Sequence, residues 1–235
     1  MTLRALTLSL AALALCACPR PPVRPVAPPV QATTAEEALR LSASRRPARF
    51  KMVHQVAAQY AGQTFVMTGY LLGRADGSFR VSASAPIGPR LFDVGRLDGR
   101  WQAKVHLKEI SEKLDPKNMA TAISRIYFST CKDGGAPLGD QFIYRCALEG
   151  DDEADALEMT LDARTLSPVT KRFTLKGKQT VDIDYREYEA FGPEWQARKV
   201  SMGHYGGMRL NVALVEYQPG FAFDDALLDV ERREP

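Results

Sequence analysis

The sequence predicts a mainly β domain built on one large antiparallel sheet, curled or closed, with a helical insert. Three observations predict it. Strand-like runs follow one another between residues 50 and 217, separated by turn residues. Several of these runs alternate apolar and polar side chains, as half-buried strands do. A single stretch in the middle carries its apolar residues at helical spacing instead. No strand alternates with helix at βαβ spacing, which excludes a Rossmann-type architecture.

Composition agrees with a globular domain. Of 235 residues, 45% are hydrophobic and 25% charged, and the formal net charge is +3. That balance is too even for an extended nucleic-acid footprint, so no nucleic-acid partner is expected.

The first element is a processing signal. Residues 1–18 read MTLRALTLSLAALALCAC, with Arg4 ahead of an apolar run at 5–17 that only Thr7 and Ser9 interrupt. A bilayer-spanning helix needs roughly 20 apolar residues, so this run has the length of a signal-peptide core. It ends in Leu15-Cys16-Ala17-Cys18, which resembles a bacterial lipobox: Leu at −3, a small residue at −1, then Cys. The resemblance implies lipidation of Cys18, as the mature N-terminus. Cys16 would place bulky Leu15 at −1. A plain secretory signal or an N-terminal core helix is the alternative.

Six of the fifteen prolines fall in residues 19–29. Proline lacks the N–H and fixes φ, so this stretch reads as an extended tether at ~3.1 Å per residue. Pro19 stands where an Asp would resemble an inner-membrane retention signal, so an outer-membrane anchor is expected. The domain plan is therefore a signal peptide at 1–17, a lipidated Cys with tether and short helix at 18–47, and a folded domain at 48–235.

Thr34-Ala35-Glu36-Glu37 is a capping-box pattern and predicts a helix to about Ser44, which Pro47 stops. Strands are then predicted at 50–60, 64–74, 79–85, 91–97 and 101–107, and after the insert at 142–148, 156–162, 169–175, 180–188, 197–204 and 208–217. The boundaries are turn signals such as Ala61-Gly62, Asp76-Gly77, Pro86-Ile87-Gly88-Pro89, Asp98-Gly99 and Gly206-Gly207. Leu157, Met159 and Leu161 share one face, as do Met208, Leu210, Val212 and Leu214. Val181, Ile183 and Tyr185 alternate with Asp182, Asp184 and Arg186. Such faces cover either a filled core or a ligand cavity, and periodicity does not separate the two.

The insert is expected to hold two short helices. Leu107, Ile110 and Leu114 are helically spaced, and Asp115-Pro116 restarts the chain with an N-cap and a proline at N1. Met119, Ala122, Ile123, Ile126 and Tyr127 then form an apolar stripe that must bury itself against the sheet, plugging its open mouth. Cys131 and Cys146, in an exported chain, are expected to form a disulfide across the Gly134-Gly135 turn region, worth ~3 kcal/mol. Free thiols or a metal pair are the alternatives.

Chemistry-bearing motifs are absent. There is no G-x-S-x-G, H-E-x-x-H, phosphate-binding Gly loop or C-x-x-C. His54, His106 and His204 lie on separate predicted strands, and residues 150–155 read as a solvated acidic turn rather than a calcium loop. No catalytic residue, metal site or cofactor is expected.

The order of parts resembles the LolA/LolB-like lipoprotein carrier superfamily, nearest its LolB-like outer-membrane lipoproteins. The resemblance spans residues 50–230. It rests on Thr68-Gly69-Tyr70-Leu71 opening a meander, Ser84-Ala85-Pro86-Ile87-Gly88 in a turn, the helix–Pro–helix insert at 110–127, and Asp184-Tyr185-Arg186-Glu187-Tyr188 in a late strand. It implies an incomplete barrel with short lid helices around an apolar cavity, lined on the lid by Met119, Ile123, Ile126 and Tyr127. It also implies partners: acyl chains of lipoproteins or phospholipids, a soluble LolA-like periplasmic carrier, and the outer membrane through the N-terminal anchor. Ile87 corresponds to the exposed apolar residue of the family's Pro-Leu-Gly turn, a membrane-directed prong. The rival class is a non-catalytic envelope scaffold or sensor with a filled core.

Overall fold

The structure is a computed structural model that describes residues 32–107, 115–148, 151, 153–176, 179–192, 194–205 and 207–232. The signal run, Cys16, Cys18, the proline tether and the first helix of the insert lie outside the described residues.

The described chain begins with α1 (Ala35–Ser44), capped by Thr34, whose Oγ1 accepts from the Glu37 N–H at 3.1 Å. The return arm of the capping box is displaced by one residue: Glu37 accepts from the N–H and hydroxyl of Thr33. Five strands follow as a meander: β1 (Arg49–Tyr60), β2 (Gln63–Arg74), β3 (Phe79–Ser84), β4 (Arg90–Leu97) and β5 (Arg100–Val105). After the insert helix α2 (Pro116–Tyr127) come β6 (Gly135–Leu138), β7 (Gln141–Ala147), β8 (Ala154–Asp162), β9 (Pro168–Leu175), β10 (Thr180–Phe191), β11 (Glu194–Tyr205) and β12 (Met208–Pro219). A 3-10 turn follows at Asp225–Leu228.

All twelve strands form one sheet in the order β5-β4-β3-β2-β1-β12-β11-β10-β9-β8-β7-β6. Two meanders are thus joined at their centre by antiparallel pairing of β1 with β12, Met52 opposite Tyr217 and Val56 opposite Val212. The sheet does not close, because β5 and β6 remain edges. The chain is an incomplete antiparallel barrel with a helical lid.

Inward faces carry the core. Leu157, Met159 and Leu161 are buried on β8, Val181, Ile183 and Tyr185 on β10, and Met208, Leu210, Val212 and Leu214 on β12. These are the faces that the alternation marks. One end of the barrel is closed by an aromatic row that runs Phe191, Tyr217, Phe50, Phe128, Phe79, Trp101, with neighbouring ring centroids 5.0–6.1 Å apart. Gly73 makes room for it, since a Cβ there would meet Phe50 Cζ at 2.4 Å.

Two elements escape the sequence patterns. Gly135-Ala136-Pro137-Leu138 reads as a turn yet forms β6, an exposed edge strand where a proline costs no ladder bond. Residues 220–232 strap the outer face of β3 and β4. Arg80 donates to the carbonyls of Leu227 and Asp229, and Leu228 and Val230 are buried beneath.

Candidate functional site

Helix α2 lies across the concave side and packs on β4, β5 and β11, bridging the two meanders. Its start is fixed by Asp115, whose carboxylate accepts from the Lys117 N–H at 2.9 Å, with Pro116 at the first position. Its apolar stripe faces the cup. Met119 and Ile126 are buried, and Ile123 and Tyr127 are half-buried.

All four stripe residues line one cavity. Its opposing walls come from His54 and Val56 on β1, Met67, Gly69 and Leu71 on β2, Val81 and Ala83 on β3, Phe92 on β4, and Leu210 and Val212 on β12. Apart from His54 and the Tyr127 hydroxyl, this lining is apolar. The volume is about 50 Å³, well below the ~150 Å³ that holds one benzene ring. The expectation of an acyl-sized pocket is therefore corrected for this seating of the lid. Met67, Phe92, Met119 and Ile126 are all buried in the cup beneath α2.

The far end of α2 is held by polar contacts that the sequence did not announce. Lys171 Nζ, buried on β9, donates to the carbonyls of Arg125 (3.1 Å) and Ile126 (3.0 Å). Tyr185 Oη on β10 also donates to the Ile126 carbonyl, at 2.6 Å. These carbonyls belong to the last turn of a helix, where no intrahelical partner exists and a cation is favoured. Burial, reinforced by the Arg46 charge, lowers the Lys171 pKa to about 7. Tyr127 Oη pairs with His54 Nε2 at 2.8 Å. Burial lowers the His54 pKa to about 4, so the imidazole is neutral. Arg125, fully buried, donates to both oxygens of Asp151 and stacks on Phe173. Asp151 is therefore a lid anchor and not part of a solvated acidic turn.

A second compartment of about 130 Å³ lies toward the α1 end. Its polar lining is Arg45, Arg46, Lys171, Glu194 and Gln196 with the hydroxyls of Tyr185, Tyr188 and Tyr217, and Phe50, Met52, Met159, Leu161 and Val200 supply an apolar part. Burial raises the Glu194 pKa against the opposing pull of hydrogen bonds from Tyr217 and Gln196. Ile126 and Tyr127 line both compartments and form the partition between them. This polar cluster is absent from the sequence reading. A usable signal existed at Lys171, which alternates with buried Phe173 on one strand face.

Ile87 is 98% exposed, in a turn whose residues 86–89 are all exposed. The turn follows β3, whose Val81 and Ala83 line the apolar compartment, and sits at the end of the barrel opposite the aromatic row. Cys131 and Cys146 are joined by a disulfide, with Cα atoms 5.7 Å apart. It ties the segment after α2 to β7.

On the outer face, Asp93 is buried among Ser82, Arg80 and His106. Burial opposes its ionisation, but hydrogen bonds from Ser82, His106 and Arg80 outweigh that and hold the carboxyl below its ordinary value. The residue types match a hydrolase triad, yet the carboxylate stands between serine and histidine. His106 makes its bond to Asp93 and not to Ser82, so this wiring does not activate the hydroxyl as a triad does. Among the described residues, no three His, Cys, Asp or Glu side chains cluster as metal ligands. No described helix is long and apolar enough to cross a membrane.

No protein-family model matches the chain, and no curated protein matches it in sequence. Solved structures do match in shape. A DUF1329 family protein from Desulfovibrio piger superposes with a TM-score of 0.60 at 11% identity, covering 83% of this chain and 95% of that one. A LolA superfamily protein from Nitrosomonas europaea gives 0.57 at 13% identity, covering 84% and 98%. A domain named for outer-membrane lipoprotein sorting, from Vibrio parahaemolyticus, gives 0.51 at 13% identity, covering 83% and 97%. At these identities the likeness is one of fold: the chain has the LolA/LolB-like fold.

Proposed function

We propose that this chain is a lipid-anchored envelope protein that accepts acylated cargo beneath α2 and delivers it to the outer membrane. The observation that carries the reading is the apolar compartment bounded by Met119, Ile123, Ile126 and Tyr127 on the lid and by five strands of the cup. Similarity of fold to a LolA superfamily protein and to a lipoprotein-sorting domain supports the same reading. Acyl transfer needs no nucleophile. It needs apolar surface that accepts a chain and contacts weak enough to release it, since each buried methylene contributes ~0.8 kcal/mol.

In this account Cys18 carries the anchor, a soluble LolA-like carrier donates the cargo, and Ile87 enters the target bilayer. The exposure of Ile87, in the turn after a strand whose Val81 and Ala83 line the apolar compartment, supports this role for it. No catalytic residue or cofactor takes part. The test is transfer of a fluorescent acylated peptide from the non-acylated chain (Cys18→Ser) into liposomes. Saturable uptake followed by transfer supports the reading, and no uptake refutes it.

The small volume under the lid favours a second reading, an envelope scaffold or sensor with a filled core. Such a protein would bind no acyl probe even when α2 is loosened.

A further inference from the structure

We propose that the compartment between α1 and the end of α2 is a headgroup site for an anionic amphiphile, a single carboxylate or phosphate on an acyl chain. The assignment rests on the carrier reading and adds the chemical class of the cargo.

Position is the first argument. The 130 Å³ polar compartment and the apolar one share Ile126 and Tyr127 as their common wall. Displacing the last turn of α2 joins them end to end. The merged space is polar toward α1 and apolar toward the Ile87 rim, which is the polarity of an amphiphile lying along the barrel.

Charge is the second. Arg46 lines this compartment and two outer clefts, so it stands at the mouth between interior and solvent. Its guanidinium makes no hydrogen bond among the described residues; it only faces Glu194, Tyr185 and Tyr217 electrostatically. Arg46 is half-buried at that mouth, and its planar fork fits a carboxylate or phosphate. Lys171 adds a second, buried donor group. Two of its hydrogens reach the lid carbonyls, which leaves the ammonium one more. Against Arg46, and Lys171 when it is protonated, stands one carboxylate among the lining residues, Glu194, already engaged by Tyr217 and Gln196. The balance favours an incoming anion.

Size is the third. About 130 Å³ has room for one carboxylate or phosphate group, being close to the ~150 Å³ of a cavity that holds a benzene ring.

The test uses the Cys18→Ser chain and a set of amphiphiles of one chain length: a fatty acid, an alkyl phosphate, an alkyl glycerol ether and an alkyl trimethylammonium. Each displaces a neutral fluorescent acyl probe. The expected result is that the two anionic amphiphiles bind roughly tenfold or more tighter than the neutral one, and the cationic one weakest. Whichever anion binds better distinguishes a fatty acid source from a phospholipid one. Arg46→Gln should erase the preference, Arg46→Lys should restore part of it, and Lys104→Gln, an exposed control on β5 that does not line the compartment, should leave it intact. Thermal melting of each variant checks its fold. Equal binding of neutral and anionic amphiphiles overturns the headgroup site while leaving the carrier reading standing. Displacement by inorganic phosphate alone overturns the amphiphile assignment. Failure of every amphiphile to bind overturns the carrier reading and this inference together.

Discussion

Lys171 Nζ on β9 lies 3.0 Å from the carbonyl oxygen of Ile126, so a buried amine in the wall of the barrel closes the last turn of the lid. With the Arg125 carbonyl it has two acceptors. A neutral amine has two N–H groups, so both contacts survive loss of the proton.

That chemistry gives stability a pH signature. The folded pKa of Lys171 is about 7, and an unfolded lysine holds its proton to 10.5. Between those values the unfolded chain binds more protons, so stability rises with pH. The groups around Lys171 are Arg46, Glu194 on β11, Tyr185 on β10, Tyr217 on β12, and Tyr127 on α2 with its partner His54 on β1. Above about 10 the buried tyrosines reverse the trend, because unfolded tyrosines ionise first. Urea midpoints measured between about pH 7 and pH 9 should climb in the parent chain. Lys171→Met should flatten that climb, and a parallel climb in both proteins would contradict it.

Acid acts on the other latch. His54 stays neutral in the fold to about pH 4, whereas unfolded histidine protonates near 6.5. Stability from this group is therefore lost as pH falls from about 6.5 to 4. His54→Gln should lessen the loss, and amide exchange in α2 should show less acid sensitivity than in the parent chain.

How far the sequence led depends on which force shapes each part. The meander was legible because alternation and turn residues are local signals: Asp98 and Gly99 both take positive φ in the hairpin between β4 and β5. The stripe Met119, Ile123, Ile126 and Tyr127 was legible because a buried helical face leaves a period. Edge strand β6 was not, since Gly135-Ala136-Pro137-Leu138 has neither alternation nor β-branched residues. The polar compartment was not either. Arg46, Lys171 and Glu194 come from three distant parts of the chain, and only the curling of the sheet brings them together.

Ile87 separates a surface prong from a core residue. Its near-complete exposure implies that Ile87→Glu changes stability by no more than about 0.5 kcal/mol. The same substitution should abolish transfer of acylated cargo into liposomes while probe binding persists. A drop of several degrees in melting temperature would show that the side chain packs after all.

The bond between Cys131 and Cys146 closes a loop of 15 residues in sequence separation. Loop-closure entropy makes it worth about 3 kcal/mol. Reduction should lower the denaturation midpoint accordingly, and alkylation without reductant should label neither cysteine.

Ile123 sits half-buried on the lid, against the apolar compartment. Ile123→Asp places a carboxylate there and should weaken acyl-probe binding roughly tenfold or more, with faster amide exchange along α2. Unchanged binding would move the acyl site elsewhere.

The central claim is that the cup beneath α2 opens to hold an acyl chain, and native mass spectrometry tests it most directly. The Cys18→Ser chain, isolated without detergent, should carry one acyl-chain mass that Ile123→Asp diminishes. A bare chain that also fails to bind acyl probe when Lys171→Met loosens the lid would contradict the account and leave a filled-core scaffold.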